Sequence, residues 1–328
     1  MKIAVVGLGA VGGLLAAKLA SAGHEVSALA RGATLAAVRQ RGLRLAMGGT
    51  ETNHAIRASD DAAALGPQDL VIVALKGPAL AVAAQSMQPL FGPGTIVMPA
   101  MNGVTWWFLQ TGPAAATLAD TRLKSVDPEG SIGESIPLDR VLGCVVHLTC
   151  SSPEPGLIRH GFGDKFIVGE PSGGESGRVG AVCAALRLAG LTAEASTDIR
   201  HDIWYKLWGN MTMNPVSALT GAESHSILDD PLIRQFMLGT MEEARTIGAL
   251  IGCPIAQTGE DRLAIARQLG SFKTSMLQDS LAGRALELDA IVTAVHEIGS
   301  RLGVHMPHIG ALLGLTRLMG RERGLYPA

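Results

Sequence analysis

The chain has 328 residues, 47% hydrophobic and 17% charged, enough to bury a sizeable core in two domains or one large one. A formal net charge of −2 gives no whole-chain basic field to draw nucleic acid or an anionic membrane, and the local cluster Arg39, Arg41 and Arg44 reads as a solvated edge. No stretch reaches the roughly 18 uninterrupted apolar residues of a membrane span.

The apolar start, residues 1–22, has a lysine before a hydrophobic run, as a secretory signal does. Gly7, Gly9, Gly12 and Gly13 interrupt that run at spacings with another meaning. From residue 1 to about 170, short β-branched runs alternate with Ala/Leu-rich helical stretches, which predicts a parallel sheet covered by helices. Strands are expected at 2–6, 25–30, 69–75, 95–98 and 142–148, and helices at 11–22, 34–41 and 80–90. Residues 111–140, richer in Pro, Gly, Ser and charge, read as a long excursion from the sheet. Residues 156–160 and 165–168 read as the two arms of an antiparallel hairpin, followed by a helix over 178–189 and a short run to Ser196.

From Thr197 strand signals almost vanish, and 230–251, 259–268 and 285–302 carry helical periodicity. The fold expected is therefore α/β: a Rossmann-type doubly wound sheet over 1–196, then a mainly α-helical domain over 197–328. Cys144, Cys150, Cys183 and Cys253 form no C-x-x-C pair and no zinc spacing, so neither metal site nor disulfide framework is expected. Buried free thiols suit a reducing cytosol, the expected location.

Gly7-Leu8-Gly9-Ala10-Val11-Gly12 is a G-x-G-x-x-G run after an apolar strand and at the mouth of a helix. The first glycine permits a tight turn, the second lets backbone approach a pyrophosphate, and the third lets helix pack on strand. The helix N-terminus adds unpaired N–H groups and partial positive charge for the phosphates. The second strand ends without the Asp or Glu that would bind an NAD ribose, and Arg31 follows at once. An arginine there suits a 2′-phosphate and favours NADP (NADPH); an ordinary surface arginine is the competing reading.

Ligands of open α/β sheets sit beyond the carboxyl ends of the strands, which draws attention to Lys76 and to Asn102-Gly103. Lys76 reads either as a solvated cap or as a contact on the rim of the glycine loop. Further on, Lys206, Asn210 and Asn214 fall at i, i+4 and i+8 on one helical face among Trp and Met neighbours, with Pro215 expected to kink or end the helix. By spacing alone a solvated face and a site both remain open. Ser275 reads as a helix N-cap, and Glu287 with Asp289 as helix-surface charge or as part of a site. Trp106 and Trp107 read as core, with a place in a pocket wall as the other possibility.

Taken in order, Gly7-x-Gly9-x-x-Gly12, Arg31, Lys76, Asn102-Gly103, Lys206-x-x-x-Asn210-x-x-x-Asn214-Pro215 and Ser275-Met276…Glu287-x-Asp289 resemble the ketopantoate reductase (2-dehydropantoate 2-reductase) family over nearly the whole chain. The resemblance implies NADPH-dependent reduction of a small 2-oxo acid, 2-dehydropantoate to (R)-pantoate, on the route to pantothenate and coenzyme A. It makes Lys206 the catalytic acid and Glu287 a partner of the substrate hydroxyl. Asn210, Asn214, Ser275 and Asn102 become substrate contacts. Lys76 and Asn102 would lie near the nicotinamide, with Arg31 on the 2′-phosphate. Reduction of a keto carbon leaves an alkoxide, so a site needs a cation and a proton donor, and a partly buried lysine supplies both.

The sequence departs from the family pattern at Met101, where a Gln commonly precedes the Asn-Gly, at Gly77-Pro78 after Lys76, and at Val292-Thr293 in place of an Asn-Gly. These departures leave a different 2-oxo acid open. A non-catalytic NADP-binding sensor is the alternative of another class. Oligomeric state has no signal in the sequence, which leaves a homodimer open.

Overall fold

The computed structural model describes residues 1–327, and of Pro78 the backbone alone. In chain order the strands are β1 (Lys2–Val6), β2 (Glu25–Leu29), β3 (Leu43–Met47), β4 (Thr50–His54), β5 (Arg57–Ser59), β6 (Gln68–Val73), β7 (Phe91–Pro99), β8 (Gly143–Glu154), β9 (Leu157–Gly169) and β10 (Thr192–Ser196). The helices begin with α1 (Ala10–Ser21), α2 (Gly32–Arg41), α3 (Gly77–Ser86), α4 (Pro113–Thr117), α5 (Ser131–Ser135) and α6 (Gly177–Leu188). They continue with α7 (Ile199–Thr220), α8 (Ser224–Asp229), α9 (Pro231–Leu250), α10 (Gly259–Gln268) and α11 (Ser275–Leu281). A π-helical turn at Asp289–Thr293 then runs into α12 (Ala294–Arg301), and α13 (Pro307–Glu322) follows. Two compact units result: Met1–Met101 with Glu129–Asp202, and Asn102–Pro128 with Ile203–Ala328.

The first unit contains a parallel sheet of order β5-β2-β1-β6-β7. Chain order reverses at β1, so the crevice between the ends of β1 and β6 is the topological switch point where such sheets bind ligands. A second sheet, β10-β9-β3-β4 with β8 antiparallel to β9, belongs to the same unit. Helix α1 is apolar almost all round because it packs on both sheets; buried residues run from Gly12 to Leu19. Its glycine pair divides the task. A Cβ on Gly12 would press on Gly7 and Ala74, and one on Gly13 would meet Ile158 at 2.5 Å.

Three sequence expectations change here. The expected hairpin within 156–168 is one strand, β9, and its antiparallel partner is β8. Gly161 and Gly163 look like turn residues but lie against Thr149 and His147, where register shifts between β8 and β9 need backbone without a Cβ. Strands β3, β4 and β5 were not expected, since they are short and β4 is largely exposed, which leaves little apolar alternation to read. Of the expected excursion over 111–140, residues 129–140 stay with the first unit, while 111–128 belong with 102–110 to the helical unit, because Trp106, Trp107, Phe108 and Leu109 are all buried and Phe108 stacks on Trp204 at 6.0 Å. Core packing is thus the role of both tryptophans.

In the first unit Arg178 joins α6 to the sheet: its Nε donates to Glu170 at 2.7 Å, and its Nη2 bonds both Glu170 and the Val141 carbonyl. The hydrogen bond from Arg178 holds the Glu170 carboxyl below its ordinary value. A carboxylate with a lowered folded pKa contributes stability above its unfolded pKa and loses it as pH falls. Denaturant midpoints should therefore drop below about pH 4.5 in the native protein, and Glu170→Gln should flatten part of that acid limb in the same measurement.

The second unit has helices and no strand among its described residues. Helix α7 supplies Trp204, Leu207, Trp208 and Met211 to the core, and the Trp208 indole donates to the Met241 carbonyl of α9 at 2.8 Å. Of the two expectations for Pro215, a kink or an end, the end does not occur; the helix continues to Thr220. A proline removes one N–H and crowds the carbonyl four residues back. Burial of Met213, Asn214, Val216, Ser217 and Ala218 on both sides of it holds the helix together against that cost.

Candidate active site

The glycine loop in the first unit has the geometry of a dinucleotide cradle. Gly7 sits at φ +92°, donates its N–H to the Leu29 carbonyl at 3.0 Å, and so turns the chain sharply out of β1. Gly9 caps α1 with no side-chain hydrogen bond, and a Cβ there would meet no atom within 4 Å. The first N–H groups of α1, from Ala10 and Val11, thus stand next to a residue without a side chain and with open space where one would be. This is the arrangement a diphosphate needs, and the residues present fit one. Leu8 is buried beneath the loop.

Arg31 caps α2 one residue beyond Ala30 and is exposed, with Nη2 at 3.4 Å from Ser86 Oγ. Lys76 caps α3 and is half-buried. It follows Ala74, whose carbonyl lies where a Cβ on Gly7 would be, at 2.8 Å. Glycine loop, Arg31 and Lys76 therefore all lie at the carboxyl ends of β1, β2 and β6.

In the second unit the structure pairs four of the expected residues. Lys206 Nζ donates to Asn102 Oδ1 at 2.8 Å, and Asn214 Nδ2 lies 3.5 Å from Ser275 Oγ. Asn102 is fixed by its neighbours: Gly103 is at φ +82°, a Cβ on it would fall 2.3 Å from the Ala290 oxygen, and the Val104 N–H donates to that oxygen at 2.8 Å. Ala290 belongs to the π-helical turn, a local distortion frequent at functional sites. Glu287 stands two residues before that turn and is half-buried. The turn is tied to the chain's last residues by Leu286 N–H donating to the Leu325 carbonyl at 2.9 Å and by the Tyr326 hydroxyl donating to Asp289. Burial and that carboxylate push the Tyr326 phenol up to about 12, so it stays a fixed donor.

Ser275 is not the N-cap. Thr274 is, accepting from the Leu277 N–H at 3.2 Å, which leaves the Ser275 hydroxyl on the exposed first helical residue and turned toward Asn214. Asn210 and Asn214 both line a cavity of about 110 Å³ whose other polar wall is Arg262. Sequence reading missed Arg262. Residues 259–268 read as a helix and fold as one, but nothing in their pattern says which side chain turns inward.

A phosphate-binding glycine loop at a Rossmann switch point and a lysine hydrogen-bonded to an asparagine define a dinucleotide-dependent oxidoreductase. Residues 3–173 match the family model "Ketopantoate reductase PanE/ApbA" and residues 198–320 match "Ketopantoate reductase PanE/ApbA C terminal". The chain belongs to the ketopantoate reductase family. It is 44% identical over 327 residues to the 2-dehydropantoate 2-reductase of Mesorhizobium japonicum, spanning 99% of this chain and 100% of that protein. A crystal structure assigned as a ketopantoate reductase, from Ralstonia solanacearum MolK2, is 56% identical and superposes with a TM-score of 0.95 over 99% of each chain. The same fold, at 19% identity and a TM-score of 0.84 over 99% of this chain and 100% of the other, occurs in a D-mandelate dehydrogenase solved with NADH and anilino(oxo)acetate.

Proposed function

We propose that this protein reduces 2-dehydropantoate to (R)-pantoate with NADPH, in the cytoplasm, on the route to pantothenate and coenzyme A. The observation that carries the reading is the 2.8 Å hydrogen bond from Lys206 to Asn102, within a unit that also pairs Asn214 with Ser275. Gly7, Leu8, Gly9, Ala10, Val11 and Gly12 would hold the phosphates of NADPH and Arg31 its 2′-phosphate, and the bound cofactor would supply the hydride. Lys76 and Asn102 would serve its nicotinamide end.

Lys206 holds a proton on Nζ, and Asn102 Oδ1 orients that ammonium. As the keto oxygen gains negative charge, the ammonium stabilises it and then delivers the proton, so one group answers both demands of the reaction. Asn210, Asn214 and Ser275 orient the oxo acid by neutral hydrogen bonds, and Glu287 accepts from the substrate hydroxyl. Oxidation of NADPH followed at 2-dehydropantoate and at a panel of other 2-oxo acids tests the reading. Turnover of another acid with none of 2-dehydropantoate would replace the substrate while keeping the chemistry.

Arg31→Ala is expected to raise the KM for NADPH about 10- to 100-fold, the loss of a charge-assisted forked contact, while leaving NADH within about threefold. Equal effects on the two cofactors would remove the 2′-phosphate from the role of Arg31. A homodimer, as in a dimeric relative from Staphylococcus aureus, is the expected assembly, and sedimentation at micromolar concentration checks it.

A further inference from the structure

The cavity beside Asn210 and Asn214 is lined by a cation, Arg262, that makes no ion pair among the described residues. Arg262 projects from α10, a helix whose start is fixed by reciprocal bonding of Thr258 and Asp261, so its position is set by backbone that has little freedom. Its guanidinium lies over the Tyr205 ring, 5.2 Å from the centroid. Its Nε is shielded from solvent and has no hydrogen-bond partner among the described residues. Burial pushes its pKa below the ordinary value. Gly209 makes room for it, since a Cβ there would fall 2.8 Å from Nη2.

A forked donor whose Nε is shielded from solvent and which makes no ion pair among the described residues is costly to keep unless something brings the anion. The remaining wall of the cavity, with Met213, Leu263 and Phe272, is apolar. We infer that Arg262 is a substrate-binding residue whose guanidinium takes the carboxylate of the oxo acid, with the branched hydrocarbon part of the substrate against the apolar wall. The inference deepens the proposed reductase activity and rests on it. Recognition of the acid group then falls to a charge on α10, while Asn210 and Asn214 on α7 supply orientation.

The test uses the full chain with three variants, Arg262→Met, Arg262→Lys and Gly209→Val. Arg262→Met should raise the KM for 2-dehydropantoate about 10- to 100-fold and weaken binding of pantoate to the NADP-loaded protein by the same factor, with kcat within about threefold. Arg262→Lys, which keeps the charge but not the fork, should lose less. Gly209→Val should reproduce the KM defect with Arg262 present, because the added side chain displaces the guanidinium. Chloride should compete with pantoate in the wild type and not in Arg262→Met, a readout that a merely structural role would not move. Unchanged KM and pantoate affinity in Arg262→Met, or chloride competition that survives the substitution, would overturn the inference. A wild type that oxidises NADPH with none of the 2-oxo acids would instead overturn the proposed function. Pantoate calorimetry would still decide whether Arg262 holds a carboxylate.

Discussion

Lys206→Ala is expected to lower kcat by about three to five orders of magnitude, the combined loss of a general acid and of the charge that stabilises the alkoxide. Cofactor affinity should stay within about threefold, because the glycine loop lies in the other compact unit. Lys206→Arg separates the two contributions. It keeps a cation within reach of Asn102 but cannot release its proton near neutral pH, so it should recover part of the charge stabilisation and little of the proton transfer. Stopped-flow NADPH oxidation with a saturating oxo acid, beside cofactor fluorescence titration, reads both quantities. A sensor that binds NADP without turnover would show unaltered behaviour in Lys206→Ala, and a full-rate Lys206→Ala would end the enzymatic reading.

The second large effect is expected at Gly12. A Cβ on this residue would sit 2.0 Å from the Gly7 carbonyl oxygen and 2.9 Å from the Ala74 side chain. Neither neighbour yields easily: Gly7 is held at φ +92° and bonded to Leu29, and the Ala74 N–H is bonded to the Val6 carbonyl at 2.9 Å. Gly12→Ala should therefore lose about 1–3 kcal/mol of stability by overpacking and open the loop. NADPH affinity should fall about 100-fold, since the phosphate contacts depend on that loop. Gly9→Ala is the informative contrast. Its Cβ enters open space, so thermal unfolding should be nearly unchanged while affinity drops because the methyl occupies the approach of the diphosphate. Loss of stability at Gly9, or intact affinity at both positions, would contradict the assigned tasks of the two glycines.

The features most legible in the sequence were those determined within a few residues. The G-x-G-x-x-G run, the arginine after β2, the Lys/Asn/Asn spacing and α10 each follow from local turn chemistry or helical periodicity. The row at 206, 210 and 214 did share one face of α7, which is all that spacing can establish. Short strands with half-exposed faces, such as β4, carry no such signal, and a strand as long as β9 reads as two because of glycines that serve its register with β8.

What the sequence determined alone was the class of cofactor, the order of a sheet-forming half and a helical half, and, through ordered motifs, the family. Tertiary structure decided the rest, because it joins residues whose separation along the chain carries no periodic trace. It brought Asn102 to Lys206 across 104 positions and gave 102–128 to the helical unit through the burial of four large side chains. It carried α7 past Pro215 by packing its flanks. It also set Arg262 in a cavity wall beside Gly209, where it makes no ion pair among the described residues.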